Sequence, residues 1–217
     1  MPTSEPAELR RAREQMVHDQ IEQRGIKDSR LLGILRVLPR HLFVPSAERV
    51  HAYDDSALPI GREATISQPL ITATITNSLK LTGTERVLEV GTGSGYQTAV
   101  LCELAGEVYS IEIDEILANR AKELLTSLHY TDRLTLKAGN GELGWPEFAP
   151  FDRIVLTAAP QRIPQTLLDQ LAEGGRLVGP AGPPMKQRLL MIEKVNGKLI
   201  TTDHGPVRFV TMKSPVA

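Results

Sequence analysis

The sequence predicts an α/β fold: a mostly parallel central sheet, helices on both faces and antiparallel strands at the C-terminal end. Three observations carry this. From Arg86 onward, short apolar runs alternate with helical stretches, as in parallel strands joined by crossover helices. The first of these units contains Gly91-Thr92-Gly93-Ser94-Gly95, a glycine-rich turn between a strand and a helix. Near the end, Asn196-Gly197 separates two strand-like runs and marks a hairpin.

The elements follow in order. Residues from about Pro6 to Arg24 read as a helix ending at Gly25, with Met16, Val17, Gln20 and Ile21 near one stripe. Asp28 reads as the N-cap of a second helix through Leu38, where Pro39 stops it. Phe43 to Ile66, with Pro45, Pro59 and Gly61, reads as irregular. Ser67 begins a third helix with Pro69 in its first turn, where a missing N–H costs nothing. Strands are expected at Val87–Val90, Val108–Ile111, Leu134–Lys137, Arg153–Leu156 and Arg176–Val178. Helices are expected at Tyr96–Leu104, Ile116–Leu128 and Ile163–Leu171, the last ended by Gly174-Gly175. Arg188–Val195 and Lys198–Thr202 form the closing hairpin. The expected organisation is one domain over residues 1–217. Residues 1–82 form a helical covering region and residues 83–217 the core.

Composition excludes several classes. The chain is 41% hydrophobic and 24% charged with a net charge of −1, so no basic footprint for nucleic acid shows in the total. The single cysteine, Cys102, rules out an intramolecular disulfide and a cysteine-rich zinc site, and reads as a small apolar helix residue. The five histidines are scattered without ligand spacing, so no metal site is expected. Met1 to Arg13 lacks the apolar core of a signal peptide, and no uncharged run reaches membrane-spanning length. A cytoplasmic protein is the expectation.

The glycine-rich turn carries the chemistry. Its glycines let the backbone turn tightly and approach a ligand. Tyr96 stands where a dinucleotide fingerprint has its last glycine, and Glu89 lies two residues before Gly91. A carboxylate repels a pyrophosphate but favours a cation. S-adenosylmethionine has no phosphate and carries an ammonium and a sulfonium, so it suits the turn better than NAD. Glu112 ends the second strand, where an acidic residue accepts hydrogen bonds from ribose hydroxyls. Asp114 reads as the cap of the following helix. Asn140-Gly141 follows the third strand. It reads equally as an adenine contact, with the Asn140 oxygen accepting and the Gly141 N–H donating, and as an ordinary turn.

Motifs outside the turn narrow the chemistry. Gln23-Arg24-Gly25-Ile26, Pro39-Arg40-His41-Leu42-Phe43-Val44-Pro45, Ala52-Tyr53-Asp54-Asp55, Leu58-Pro59-Ile60-Gly61, Thr65-Ile66-Ser67-Gln68-Pro69 and Val207-Arg208-Phe209-Val210 lie along nearly the whole chain. With Glu89–Tyr96 they resemble the protein-L-isoaspartate (D-aspartate) O-methyltransferase family. The Pro-Arg-His and Thr-Ile-Ser-Gln-Pro stretches are the specific ones, because glycine-rich turns are shared by many methyltransferases.

The resemblance implies a Rossmann-like class I S-adenosylmethionine-dependent methyltransferase fold. It also implies methyl esterification of the free carboxylate of L-isoaspartyl residues, with D-aspartyl residues as a further candidate substrate, in damaged proteins and peptides, with S-adenosyl-L-homocysteine as product. It places Ser67 at the substrate carboxylate as the catalytic residue. Thr65, Ile66, Glu89, Gly91, Thr92, Gly93, Ser94, Gly95, Glu112, Asn140 and Gly141 fall to the cofactor, and Phe209 and Val210 to the substrate. The implied partners are isoaspartyl proteins and peptides, met by a monomer with an open cleft, without nucleic acid or membrane. The chemistry needs no general base, because a carboxylate is already ionised at neutral pH. Catalysis then rests on placing its oxygen about 3 Å from the methyl carbon. One neutral donor such as Ser67 orients the carboxylate without quenching it.

Two departures stand out. Gly139-Asn140-Gly141 replaces the family's Gly-Asp-Gly, which predicts weaker cofactor binding, and Thr211-Met212 follows Val210 in place of Pro-Leu. Rival readings are a methyltransferase of another acceptor and a non-catalytic protein that keeps the fold. Thr157-Ala158-Ala159-Pro160 lacks a side chain suited to gripping a base amino group, which disfavours the first. Intact Ser67 and Gly91–Gly95 disfavour the second.

Overall fold

The computed structural model describes residues 5–214. The first helix, α1 (Ala7–Gln15), runs without a break into a π-helical segment, Met16–Glu22, before the chain turns at Gly25. The expected single α-helix therefore changes winding midway. The reason lies in the apolar spacing. Met16 and Ile21 are five apart, which an α-helix would splay around its axis and an i→i+5 winding brings onto one face. Met16, Val17 and Ile21 are all buried. Asp28 caps α2 (Ser29–Val37) as expected, its carboxylate accepting from the Arg30 and Leu31 N–H groups at 3.0 and 3.1 Å.

The stretch from Phe43 to Ile66 is more regular than its sequence suggests. It contains a 3₁₀ helix, Ser46–His51, and an antiparallel hairpin of β1 (Leu58–Gly61) and β2 (Ala64–Ile66). The two turn residues, Arg62 and Glu63, both have positive φ, 56° and 58°. This is the geometry of a turn that normally advertises itself with Asn-Gly, and Arg-Glu does not. The next helix, α3, spans Pro69–Leu79 with Gln68 as its N-cap. Ser67 therefore stands one residue outside the cap, in the link between β2 and α3, and does not begin the helix.

The main sheet has seven strands in the order β5-β4-β3-β6-β7-β8-β9. These are β3 (Arg86–Val90), β4 (Glu107–Glu112), β5 (Leu134–Ala138), β6 (Phe151–Leu156), β7 (Leu171–Ala181), β8 (Arg188–Val195) and β9 (Lys198–Pro206). Pairing is parallel from β5 to β7 and antiparallel from β7 to β9. Strand order reverses beside β3, which places a ligand crevice at its carboxyl end. Helices α4 (Tyr96–Leu104) and α5 (Glu115–Ser127) follow β3 and β4.

One face of the sheet, through Val87, Val108 and Val155, packs on Ile75 and Leu79 of α3 and Leu101 and Cys102 of α4. The other, through Leu88, Val90, Ile154 and Leu156, packs on Trp145, Phe148 and Leu167. Leu167 belongs to α6 (Gln165–Asp169), which is shorter than the helix expected over 163–171. Gly174-Gly175 does not end that helix. It lies inside β7, at an irregularity where pairing to β6 jumps from Phe151↔Leu171 to Arg153↔Arg176. Gly174, with φ +74°, supplies the conformation such a bulge needs. Leu31, Leu35, Ile60 and Ile66 share a core cluster with Tyr96, Ala99, Leu117 and Leu125, so residues of the N-terminal third pack directly on α4 and α5.

Candidate active site

The carboxyl ends of β3 and β4 open into a cleft lined partly by backbone of the glycine-rich turn. The turn is shaped by its glycines. Gly91 has φ +100°, and a β-carbon there would sit 2.2 Å from the Thr157 hydroxyl. The Thr157 hydroxyl also donates to the Val90 carbonyl at 3.1 Å, so strand ends and turn form one unit. The Glu112 carboxylate, 6% exposed, fixes the turn from the side. It accepts from the Gly93 N–H at 2.8 Å and the Asp114 N–H at 3.0 Å. Each of its oxygens keeps a further lone pair for a ligand. Asp114 caps α5, accepting from Ile116 and Leu117, and pairs with Arg62 of the β1–β2 turn at 2.7 Å. That ion pair ties the hairpin over the cleft.

The structure brings together Thr65, Ile66, Ser67, Gly91, Thr92, Gly93, Ser94, Glu112, Gly141 and Val210 on this cleft. It does not bring Glu89, Gly95, Asn140 or Phe209 to it. Glu89 is the clearest correction. Side chains alternate along a strand, so Leu88 and Val90 face one way and Glu89 the other. Its carboxylate has no exposed surface and lies beneath the turn, where Thr98 and Ser110 donate to it at 2.5 and 2.6 Å. Burial pushes its pKa up to about 7 against those two hydrogen bonds, with the nearby Glu112 charge adding to the rise. Glu89 supports the turn and does not line the cleft. Gly95 is the N-cap position of α4, backed by Leu125. The Asn140 oxygen caps a short 3₁₀ turn, accepting from the Glu142 N–H at 3.0 Å, and the residue does not line the cleft. Of the pair, only buried Gly141 meets the cleft.

A second depression, a groove lined by Ala57, Gln68, Ile71, Arg208 and Phe209 among others, adjoins the first. Thr65 and Ser67 line both. The Phe209 backbone is pinned from both sides by one amide, the Gln187 side chain, which accepts from its N–H and donates to its carbonyl. Val210 accepts from the Ala159 N–H at 2.9 Å, and Met212 donates to the Ala159 carbonyl at 2.8 Å. The C-terminal segment thus runs along the rim of the cleft. Arg62, Asp114, Thr157 and Lys213 line the cleft without having been expected there. They lie far apart in sequence, and no local motif marks them.

The cleft suits S-adenosylmethionine. It offers close-approach backbone at the turn and a buried carboxylate at the ribose position, and the first turn of α4 follows Gly95 without a phosphate-gripping lysine or arginine. Comparison with known proteins agrees. A family model described as protein-L-isoaspartate(D-aspartate) O-methyltransferase matches residues 11–217. Protein-L-isoaspartate O-methyltransferase 1 of Syntrophobacter fumaroxidans is 50% identical over 204 residues, covering 94% of this chain and 95% of that protein. A solved protein-L-isoaspartate O-methyltransferase superposes with a TM-score of 0.84 at 29% identity, over 93% of this chain and 66% of that one. A solved putative protein-L-isoaspartate O-methyltransferase from Plasmodium falciparum, in complex with S-adenosyl-L-homocysteine, superposes with a TM-score of 0.78 at 26% identity, over 93% of this chain and 98% of that one. A glycine turn beside a buried glutamate, a serine shared by two cavities and a match over nearly the whole length lead to one conclusion: this chain belongs to the protein-L-isoaspartate(D-aspartate) O-methyltransferase family.

Proposed function

We propose that the cleft holds S-adenosylmethionine, that the groove receives an isoaspartyl segment, and that Ser67 at their junction orients the acceptor carboxylate. The activity is methyl esterification of the free carboxylate of L-isoaspartyl residues in damaged proteins and peptides, which initiates their repair. The observation that carries the residue assignment is the position of Ser67, half-buried and common to both cavities.

When bound, the cofactor supplies an electrophilic methyl group on a sulfonium. The chain's own residues bind and orient. Gly91 and Gly93 offer close backbone approach, Glu112 accepts from ribose hydroxyls with its free lone pairs, and Gly141, where a β-carbon would strike Val90, brings bare backbone to the adenine side. Ser67 donates one neutral hydrogen bond to the acceptor, whose nucleophilicity a charged donor would lower. Thr65, Ile66 and Val210 close the walls around the transfer point. Residues 1–82 and 83–217 act as one domain, a reading supported by the core cluster they share. No helix among the described residues is long and apolar enough to cross a membrane. A cytoplasmic monomer that does not bind nucleic acid fits the open groove, the balanced charge and the single buried cysteine.

The test is methyl transfer from labelled S-adenosylmethionine to two peptides of one sequence, one with isoaspartate and one with aspartate. Base-labile label is expected on the isoaspartyl peptide alone. Ser67→Ala should lower kcat/KM by about ten-fold or more, the scale of one lost hydrogen bond to a charged group. Equal labelling of both peptides, or of neither, would overturn the substrate; an unimpaired Ser67→Ala would overturn the residue.

A further inference from the structure

Arg40, from the Pro-Arg-His stretch, has no exposed surface. A buried guanidinium ordinarily sits against a carboxylate. Here no carboxylate pairs with it among the described residues, and burial draws its pKa down to about 10, so it stays charged at neutral pH. Its fork is spent on backbone. Nε donates to the Ala52 carbonyl at 2.8 Å and Nη2 to the Ser67 carbonyl at 2.7 Å, while Nη1 has no partner among the described residues. Its Cζ lies 4.9 Å from the centre of the ring of Tyr96, the first residue of α4 and part of the cleft wall.

This arrangement is costly for packing alone. An apolar side chain of similar size would fill the volume without desolvating a cation. Ser67 supplies a reason. It belongs neither to β2, which ends at Ile66, nor to α3, whose cap is Gln68. Neither a strand ladder nor a helical turn fixes its carbonyl, and Arg40 does.

We propose that Arg40 is a positioning residue for methyl transfer: by gripping the Ser67 carbonyl while braced on Ala52 and Tyr96, it holds the Ser67 hydroxyl at the junction of cleft and groove. This rests on the acceptor-orienting role given to Ser67 above. A lysine keeps the charge but presents a point donor in place of a rigid fork, so it cannot span both carbonyls.

The experiment compares wild type, Arg40→Lys, Ser67→Ala and the double variant, using an isoaspartyl peptide and S-adenosyl-L-homocysteine. Calorimetric binding of S-adenosyl-L-homocysteine counts the folded molecules in each sample. Arg40→Lys is expected to lose about ten-fold in kcat/KM for the peptide, with S-adenosyl-L-homocysteine affinity held within about two-fold. In the Ser67→Ala background the same substitution should cost less than about two-fold, because the group it positions is gone. Equal losses in both backgrounds, or full activity of Arg40→Lys, would overturn the proposal while leaving Ser67 in place. An unimpaired Ser67→Ala would remove the role of Ser67 and that of Arg40 with it. Wild type inactive on the isoaspartyl peptide would instead overturn the substrate reading. If Arg40→Lys does not fold, Arg40→Gln, neutral and with one amide donor, is read by the same criteria.

Discussion

Glu89 shows how one carboxylate can brace a glycine turn from beneath without lining the cleft. Oε2 takes both hydroxyl hydrogen bonds, and Oε1 has no partner among the described residues. Its pKa is about 7 in the folded protein against an ordinary 4.5. The folded state therefore favours the protonated form. Stability from this group is full below about pH 4.5, falls as pH rises toward 7, and is level above that. Glu89→Gln mimics the neutral acid and should remove this slope. Urea unfolding at pH 5 and pH 8 should show the wild type losing on the order of 3 kcal/mol more than the variant between the two. Parallel pH dependence in both proteins would mean that Glu89 is not the titrating group. Gly91 makes a steric prediction at the same scale. Gly91→Ala places a methyl against Thr157 at a positive φ, so S-adenosyl-L-homocysteine affinity should fall by about ten-fold or more, read by calorimetry. The type of Glu89 and its closeness to the turn were legible in the sequence. Its direction was not, because that depends on which face of the sheet each strand position takes.

At the scale of elements, the β1–β2 hairpin is held over the cleft by Arg62–Asp114 on one side and Lys213–Glu63, at 3.2 Å, on the other. Asp114 has two tasks that separate by mutation. Asp114→Ala removes the cap of α5 and should cost about 1 kcal/mol. Asp114→Asn keeps a capping oxygen and loses only a half-exposed ion pair, so it should cost well under about 1 kcal/mol. Thermal unfolding of the two variants checks this, and equal destabilisation would show that the ion pair matters more than the cap. Helix caps such as Asp28 and Asp114 were readable because they act within three residues. The hairpin was not, because Arg62-Glu63 adopts positive φ without the residues that favour it.

At the scale of the molecule, the C-terminal segment closes the cleft that the N-terminal half opens. Thr211, Met212 and Lys213 line it, Met212 is bonded to Ala159, and the Ser214 hydroxyl meets Glu142 at 3.1 Å. Deleting residues 211–217 should weaken S-adenosyl-L-homocysteine binding by about ten-fold, with the far-ultraviolet circular dichroism of the sheet and helices retained. Unchanged affinity would show that the segment is only an ornament of the rim.

By itself the sequence determined the succession of strands and helices from β3 to β9 and the glycine turn, because periodicity, capping and turn chemistry act over a few residues; the family was legible only through the resemblance of its Pro-Arg-His and Thr-Ile-Ser-Gln-Pro stretches. Only the tertiary structure decided that Glu89 points away from the cleft, that Asn140 caps a turn outside it, and that Ser67 is shared by two cavities. It also decided that Arg40 reaches Ser67 across 27 residues and Lys213 reaches Glu63 across 150. Those contacts depend on which side of the sheet each connection passes and on what is buried beside it. No local pattern encodes that, because the free energy that selects it is shared over the whole core.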